Sequence, residues 1–241
     1  MTNFDTFYKT IYSFKENDTQ NDIMILKQEC GIEKTDKILD LGVGYGRVFF
    51  PLLEEGFDIY GYDNSEFFKE NSFAKHQDRF IFGDFSEIDT KIEKDCFDHI
   101  YSLYSSIGHD GRENDEKLFA GISQILKKGG AFLLEYENFI YHSQYNNLVN
   151  KTFYDVGKYR RNISVEVDLQ DEKIHIGNEL YDVEDEKILK KWDFSLEFYT
   201  YKTLEAIANR YGLKLKKTFG RFDRNNVFWY EPQVFFLFEK I

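Results

Sequence analysis

Residues 38–47 read ILDLGVGYGR, a short and mostly apolar strand that passes through glycines at 42, 44 and 46 into the start of a helical pattern. Glycines are needed in such a turn where the backbone takes positive φ or where a ligand lies against the main chain. The unit also constrains the fold, because a strand followed at once by a helix returns to the sheet as a parallel crossover. The chain repeats it. Residues 37–42, 57–63, 79–84, 97–106 and 130–136 read as strands, with helices over 47–55, 65–75 and 113–127 between them. Ahead of this frame, residues 4–14 carry aromatics at helical spacing, and 23–30 reads as a helix stopped by Gly31.

Beyond Asn138 the period changes. Segments 162–169, 173–180 and 187–197 alternate in the manner of antiparallel strands, separated by polar turns. The frame then resumes with a helix over 202–211 and strands LKLKKTFG and QVFFLFEK. The expected architecture is α/β: a seven-stranded, mostly parallel sheet with helices on both faces and a small antiparallel β insertion after strand five. Residues 1–241 are expected to form a single domain, with 139–198 as the inserted segment.

Composition narrows the function. The 43 acidic against 31 basic residues leave a net charge of −12, a field that repels phosphate backbones and removes the main driving force for sequence-independent nucleic-acid binding. No run approaches the ~20 apolar residues that span a bilayer, and the acid-containing N-terminus does not read as a secretory signal. A cytoplasmic protein with neither nucleic-acid nor membrane partners is expected. The two cysteines, Cys30 and Cys96, have no metal-ligand spacing, so no metal is expected.

Three acids mark a crevice. Asp40 lies within strand one, Asp63 ends strand two, and Asp84 ends strand three. In an open α/β sheet ligands bind outside the carboxyl ends of the strands, and an acid at the end of strand two is placed to accept hydrogen bonds from ribose hydroxyls. The glycine spacing departs from the dinucleotide fingerprint G-x-G-x-x-G: the third glycine comes one residue early, and Arg47 fills its place. An acid beside the turn disfavours a pyrophosphate and suits a cation or an amino group.

With Asp40, Gly42, Gly44 and Gly46 in the form D-x-G-x-G-x-G, the chain resembles the Rossmann-like, class I S-adenosylmethionine-dependent methyltransferases, of the small-molecule type. Tyr62-Asp63-Asn64-Ser65 is similar to the second motif of that family, Gly83-Asp84-Phe85 to the third and Phe97-Asp98-His99-Ile100-Tyr101 to the fourth. Leu126-Lys127-Lys128-Gly129-Gly130 is similar to its turn before strand five, with Lys128 in place of the usual proline. The resemblance implies S-adenosylmethionine as cofactor. It also implies that Asp40 and glycines 42, 44 and 46 hold the methionine portion, Asp63 the ribose, and Asp84 with Phe85 the adenine, with Asn64 and Tyr101 completing the binding set.

Methyl transfer from a sulfonium is an in-line displacement in which the protein aligns the acceptor and, where needed, takes a proton. The acceptor is expected beyond strand four, near residues 102–110, with His109 as candidate base. No N-P-P-Y or D-P-P-Y segment follows that strand, which together with the charge argues against DNA as acceptor. The inserted sheet and the first helix would cover the crevice. Tyr8, Tyr12, Tyr141, Tyr145, Tyr154, Tyr159 and Trp192 are candidates for its lining, and Arg160, Arg161, Arg221 and Arg224 could hold an anionic group. Two acceptor classes stay open: a hydroxyl or amino group on a sugar, nucleotide-linked or not, and an amine held by cation–π contacts. Two other readings share the glycine turn, an NAD-dependent oxidoreductase and a non-catalytic donor-binding sensor.

Overall fold

The computed structural model describes residues 11, 13–104, 106–145, 151–225 and 231–241. Five strands form the parallel part of the main sheet: β1 (Lys37–Leu41), β2 (Asp58–Asp63), β3 (Phe80–Phe82), β4 (Phe97–Ser102) and β5 (Leu126–Glu137). Four more, β6 (Lys151–Val156), β7 (Tyr159–Asp168), β8 (Lys173–Asp182) and β9 (Lys187–Glu197), make a separate antiparallel sheet. The last two, β10 (Leu213–Gly220) and β11 (Gln233–Lys240), return to the main sheet, whose spatial order is β10-β11-β5-β4-β1-β2-β3. Its first five strands pair in parallel, while β11 runs antiparallel to both neighbours. The strand order reverses between β1 and β4, and that is where an open sheet leaves a crevice.

The helices are α1 (Thr19–Ile25), which runs on as a wide turn to Cys30, then α2 (Phe49–Glu54), α3 (Glu66–Glu70), α4 (Ile88–Lys91), α5 (Arg112–Ile125), α6 (Phe139–Tyr145) and α7 (Tyr201–Arg210). Strand alternation sends successive side chains to opposite faces. Phe132 and Leu134 pack with α5 and α7 on one face, while Leu133 packs with α1 and α2 on the other. Both faces are therefore covered, which is why the inner strands read as continuous apolar runs.

Several boundaries differ from the sequence reading. The expected helix over 65–75 stops at Glu70: Asn71 makes the last i→i−4 bond, to the Phe67 carbonyl that its side-chain amide also takes, and the next bond, from the Phe73 N–H to the Phe68 carbonyl, is no longer helical in spacing. Strand four ends at Ser102 rather than 106, since Tyr104 adopts φ 61° and its N–H is taken by the Glu135 carboxylate. Strand five begins earlier, at Leu126, and the antiparallel sheet holds a fourth strand, β6, that the pattern did not reveal. The aromatic helix over 4–14 falls almost wholly outside the described residues.

The second sheet is stitched to the first. Glu197 at the end of β9 donates its N–H to the Gly108 carbonyl (2.9 Å), and Arg112 at the start of α5 reaches Glu197 Oε2 (3.1 Å). Its small core of Val167, Ile174, Ile176 and Leu196 is thereby held beside the loop after β4.

Candidate active site

Asp40 is set in β1 between buried Leu39 and Leu41, directly across from Tyr101 of β4 in the sheet register. The Tyr101 hydroxyl donates to Asp40 Oδ2 at 2.8 Å. Burial still pushes the Asp40 carboxyl up to about 7, against the opposing pull of that hydrogen bond and of Arg47. The chain then turns at Gly42, with φ 77° and its N–H on the Tyr62 carbonyl (2.8 Å). A β-carbon at Gly42 would stand 2.5 Å from Ser106 Oγ, so the turn is glycine both for its conformation and for its closeness to the loop after β4.

Asp63 closes the turn from the next strand. Its Oδ2 accepts the Gly44 N–H and its Oδ1 the Ser65 N–H, both at 2.9 Å. Burial raises its carboxyl above the usual range while these bonds oppose the shift. Asp84 takes the Ser86 N–H and hydroxyl at 2.9 and 2.7 Å, capping the turn that carries Phe85, and these bonds hold it below the ordinary carboxylate range. The Asn64 side chain also bonds Asp84. The rings of Phe85 and Tyr62 lie 6.2 Å apart.

A cavity of about 250 Å³ opens over the glycine turn, lined among others by Asp40, Gly42, Gly44, Leu103, Ser106 and His109. A second, of about 440 Å³, lies between the two sheets, lined among others by Tyr141, Tyr154, Ile176, Trp192, Phe194 and Leu196. Three residues border both: Lys15, Tyr104 and His109. The His109 ring packs 5.1 Å from that of Phe194, at the seam between main sheet and insertion.

The methyltransferase-domain family matches residues 38–130, the stretch from the first residue of the glycine motif into the start of β5. Over residues 38–130 the chain is similar to methyltransferase domains. No curated protein matches the chain. Among solved structures, the CcbJ methyltransferase of Streptomyces caelestis shares 17% identity over 92% of this chain and 89% of its own, with a TM-score of 0.75. An S-adenosylmethionine-dependent methyltransferase from Clostridium acetobutylicum shares 18% over 97% and 96%, with a TM-score of 0.73. CalS10, an amino pentose methyltransferase from Micromonospora echinaspora, shares 15% over 94% and 91% at a TM-score of 0.67. The resemblance read from the motifs is thus borne out, and the two-sheet fold is one that methyltransferases share.

Within the matched stretch, the structure brings Asp40, Gly42, Gly44 and His109 to one cavity and ties Asp63 to it through the Gly44 N–H. Gly46 supports the turn from below: a β-carbon there would strike the Phe50 ring at 2.4 Å. Tyr101 is buried beneath Asp40 and orients it. Asn64, Asp84 and Phe85 stand beside the turn without lining the cavity.

The arginines sort differently from the sequence reading. Arg221 is consumed by a buried network: it pairs with Asp22 and with Glu135, the latter at 2.5 Å. Arg47 reaches the other Asp22 oxygen at 2.5 Å, the Tyr104 hydroxyl donates to Asp22 at 3.0 Å, and Arg221 holds the Glu135 carboxyl below its usual range. Arg160 is paired with Asp155 and Arg224 with Asn21. Arg161 alone of the four borders the aromatic-walled cavity between the sheets. Of the aromatic candidates, Tyr141, Tyr154 and Trp192 line it, Tyr159 does not, Tyr8 and Tyr12 lie outside the described residues, and the same holds for the Tyr145 side chain.

Sequence reasoning missed Lys15, Tyr104 and the Glu137–His142 pair. The one signal for Tyr104 was its place within residues 102–110; Glu137 and His142 stand five positions apart but meet only across the junction of β5 and α6, and Lys15 joins them only on folding.

Proposed function

We propose that this chain is an enzyme that moves a methyl group from S-adenosylmethionine to an oxygen or nitrogen atom of a small molecule. The observation that carries the reading is the pair of cavities that meet at Tyr104 and His109, one over the acid-flanked glycine turn and the other walled by aromatic side chains of the insertion. When bound, the donor supplies an electrophilic methyl on a sulfonium, open to in-line displacement.

The chain's residues fit such a donor. Asp40 and glycines 42, 44 and 46 receive the amino-acid portion, where ionised Asp40 favours an ammonium. Asp63 accepts from the ribose hydroxyls, sharing its oxygens with the Gly44 and Ser65 N–H groups. Asn64, Asp84 and Phe85 border the adenine, and Tyr101 keeps Asp40 in place. His109, on the seam between the cavities, takes the proton that a hydroxyl or ammonium gives up as it attacks. Residues 139–198 act as the substrate-covering insertion within one domain spanning 1–241. A cytoplasmic place and the absence of nucleic-acid partners are part of this reading and fit the −12 charge.

Calorimetry with S-adenosylhomocysteine and with NADH tests the donor: saturable binding of the first alone is expected, and binding of NADH alone would overturn the reading. Incubating the protein and labelled S-adenosylmethionine with a metabolite extract tests catalysis. Labelled small-molecule product is expected, and donor binding without any product would favour a sensor.

A further inference from the structure

His109 reaches both cavities from the loop that joins β4 to α5, and the residue just before it is held from two sides. The Gly108 N–H donates to Asp115 Oδ1 at 3.0 Å, and the Gly108 carbonyl accepts the Glu197 N–H at 2.9 Å. The first support comes from the opening turn of α5, the second from the end of β9. Gly108 takes φ 97°, and a β-carbon there would stand 2.4 Å from the Tyr136 hydroxyl, so the loop lies directly against β5.

An acid in the first turn of a helix favours the helix dipole whether or not it is buried. Glu113 does this in the open, with its side chain 87% exposed. Asp115 is 5% exposed instead, and its second oxygen accepts the Tyr199 hydroxyl at 2.6 Å. Burial pushes its carboxyl above the usual range, against the pull of its bonds to Tyr199 and Gly108. What a buried acid adds over an exposed one is a fixed acceptor for the Gly108 N–H. Glycine is the residue with the most backbone freedom to lose, and here the peptides on both sides of it are tied. The backbone that leads into His109, itself an exposed residue, is thereby fixed.

Resting on the methyltransferase reading and on His109 as its base, we propose that Asp115 is a positioning residue for the transfer. Through the Gly108 N–H it sets where the His109 ring stands between the two cavities. Asp115 lines neither cavity, so it acts through the loop alone.

The full chain and its Asp115→Ala, Asp115→Asn and Ile122→Val variants are each incubated with labelled S-adenosylmethionine and a metabolite extract. Asp115→Ala removes the acceptor and should lower the rate of labelled product at saturating donor about tenfold or more, since displacing a reacting group by about 1 Å can cost a hundredfold. Its affinity for S-adenosylhomocysteine should stay within about threefold of wild type, which places the loss in transfer and not in donor binding. Asp115→Asn keeps an oxygen for the Gly108 N–H and should recover the rate to within about threefold. Ile122→Val, a buried change further along the same helix, lowers stability and should leave the rate within about twofold. In the wild type, nuclear magnetic resonance should find the Gly108 amide protected from hydrogen exchange.

A freely exchanging Gly108 amide, an Asp115→Ala rate within about twofold of wild type, or donor affinity falling as far as the rate would each overturn the proposal. So would Asp115→Asn or Ile122→Val as slow as Asp115→Ala. A wild-type rate in His109→Ala would instead sink the role of His109 as base, and no product from the wild type would sink the methyltransferase reading beneath both.

Discussion

At the scale of single residues, Asp40 carries the sharpest consequence. Its carboxyl ionises at about 7 in the folded chain against an ordinary 3.8, so the folded state holds that proton more tightly than the unfolded one. Stability from this group is therefore full below about pH 4, falls as the pH rises to 7, and is missing above it. Asp40→Asn removes the charge and keeps an oxygen for the Tyr101 hydroxyl. It should stabilise the donor-free protein by on the order of 1–3 kcal/mol at pH 8 and change little at pH 4, as read by thermal melting at both values. The same variant should weaken S-adenosylhomocysteine binding at pH 8, and wild-type affinity should fall as the pH drops through 7, because only ionised Asp40 attracts the ligand's ammonium. Gly42→Ala tests the turn: positive φ and the closeness of Ser106 should together cost about 1–3 kcal/mol and most donor affinity, read by melting and calorimetry. Asp40 and the glycines were legible because their chemistry is written within ten neighbouring residues. Tyr101 as the orienting partner of Asp40 was not, since the two meet only across the β1–β4 register.

Between elements, the buried network around Asp22 joins α1, the glycine turn through Arg47, the β4 loop through Tyr104, β5 through Glu135 and the end of β10 through Arg221. It stands behind the wall that the two cavities share and ties Tyr104 in place through its bond to Asp22. Arg221→Met leaves two carboxylates buried without their shared partner and should cost roughly 3–5 kcal/mol. Replacing Arg160, whose partner Asp155 is exposed, should cost no more than about 0.5 kcal/mol. Urea melts of the two variants check the contrast. Sequence periodicity found most of these elements because their apolar spacing reflects two covered faces. It missed where they end: Tyr104 stops its strand through a bond to Glu135, a partner that periodicity does not weigh. Strand β6 escaped because it is an edge strand with an exposed Phe153 and an exposed Tyr154, so its pattern carries no clean inward face.

Across the whole molecule, donor binding should couple to folding. S-adenosylhomocysteine at a hundred times its dissociation constant should add about 2.7 kcal/mol of stability, seen as a raised melting temperature that NADH does not produce. Duplex DNA should show no saturable binding at moderate salt, as the −12 charge opposes it.

The order of strands and helices, the glycine turn and its three acids are properties of local sequence, because hydrophobic period and turn chemistry act over a few residues. Those features sufficed to point to the methyltransferase fold. Which arginines are available, which tyrosines line a cavity, and that Glu137 and His142 line it with them were decided only by tertiary structure. Their roles depend on burial and on partners up to 203 positions away, as for Arg224 and Asn21, and pairing over such separations leaves no periodic trace in the chain.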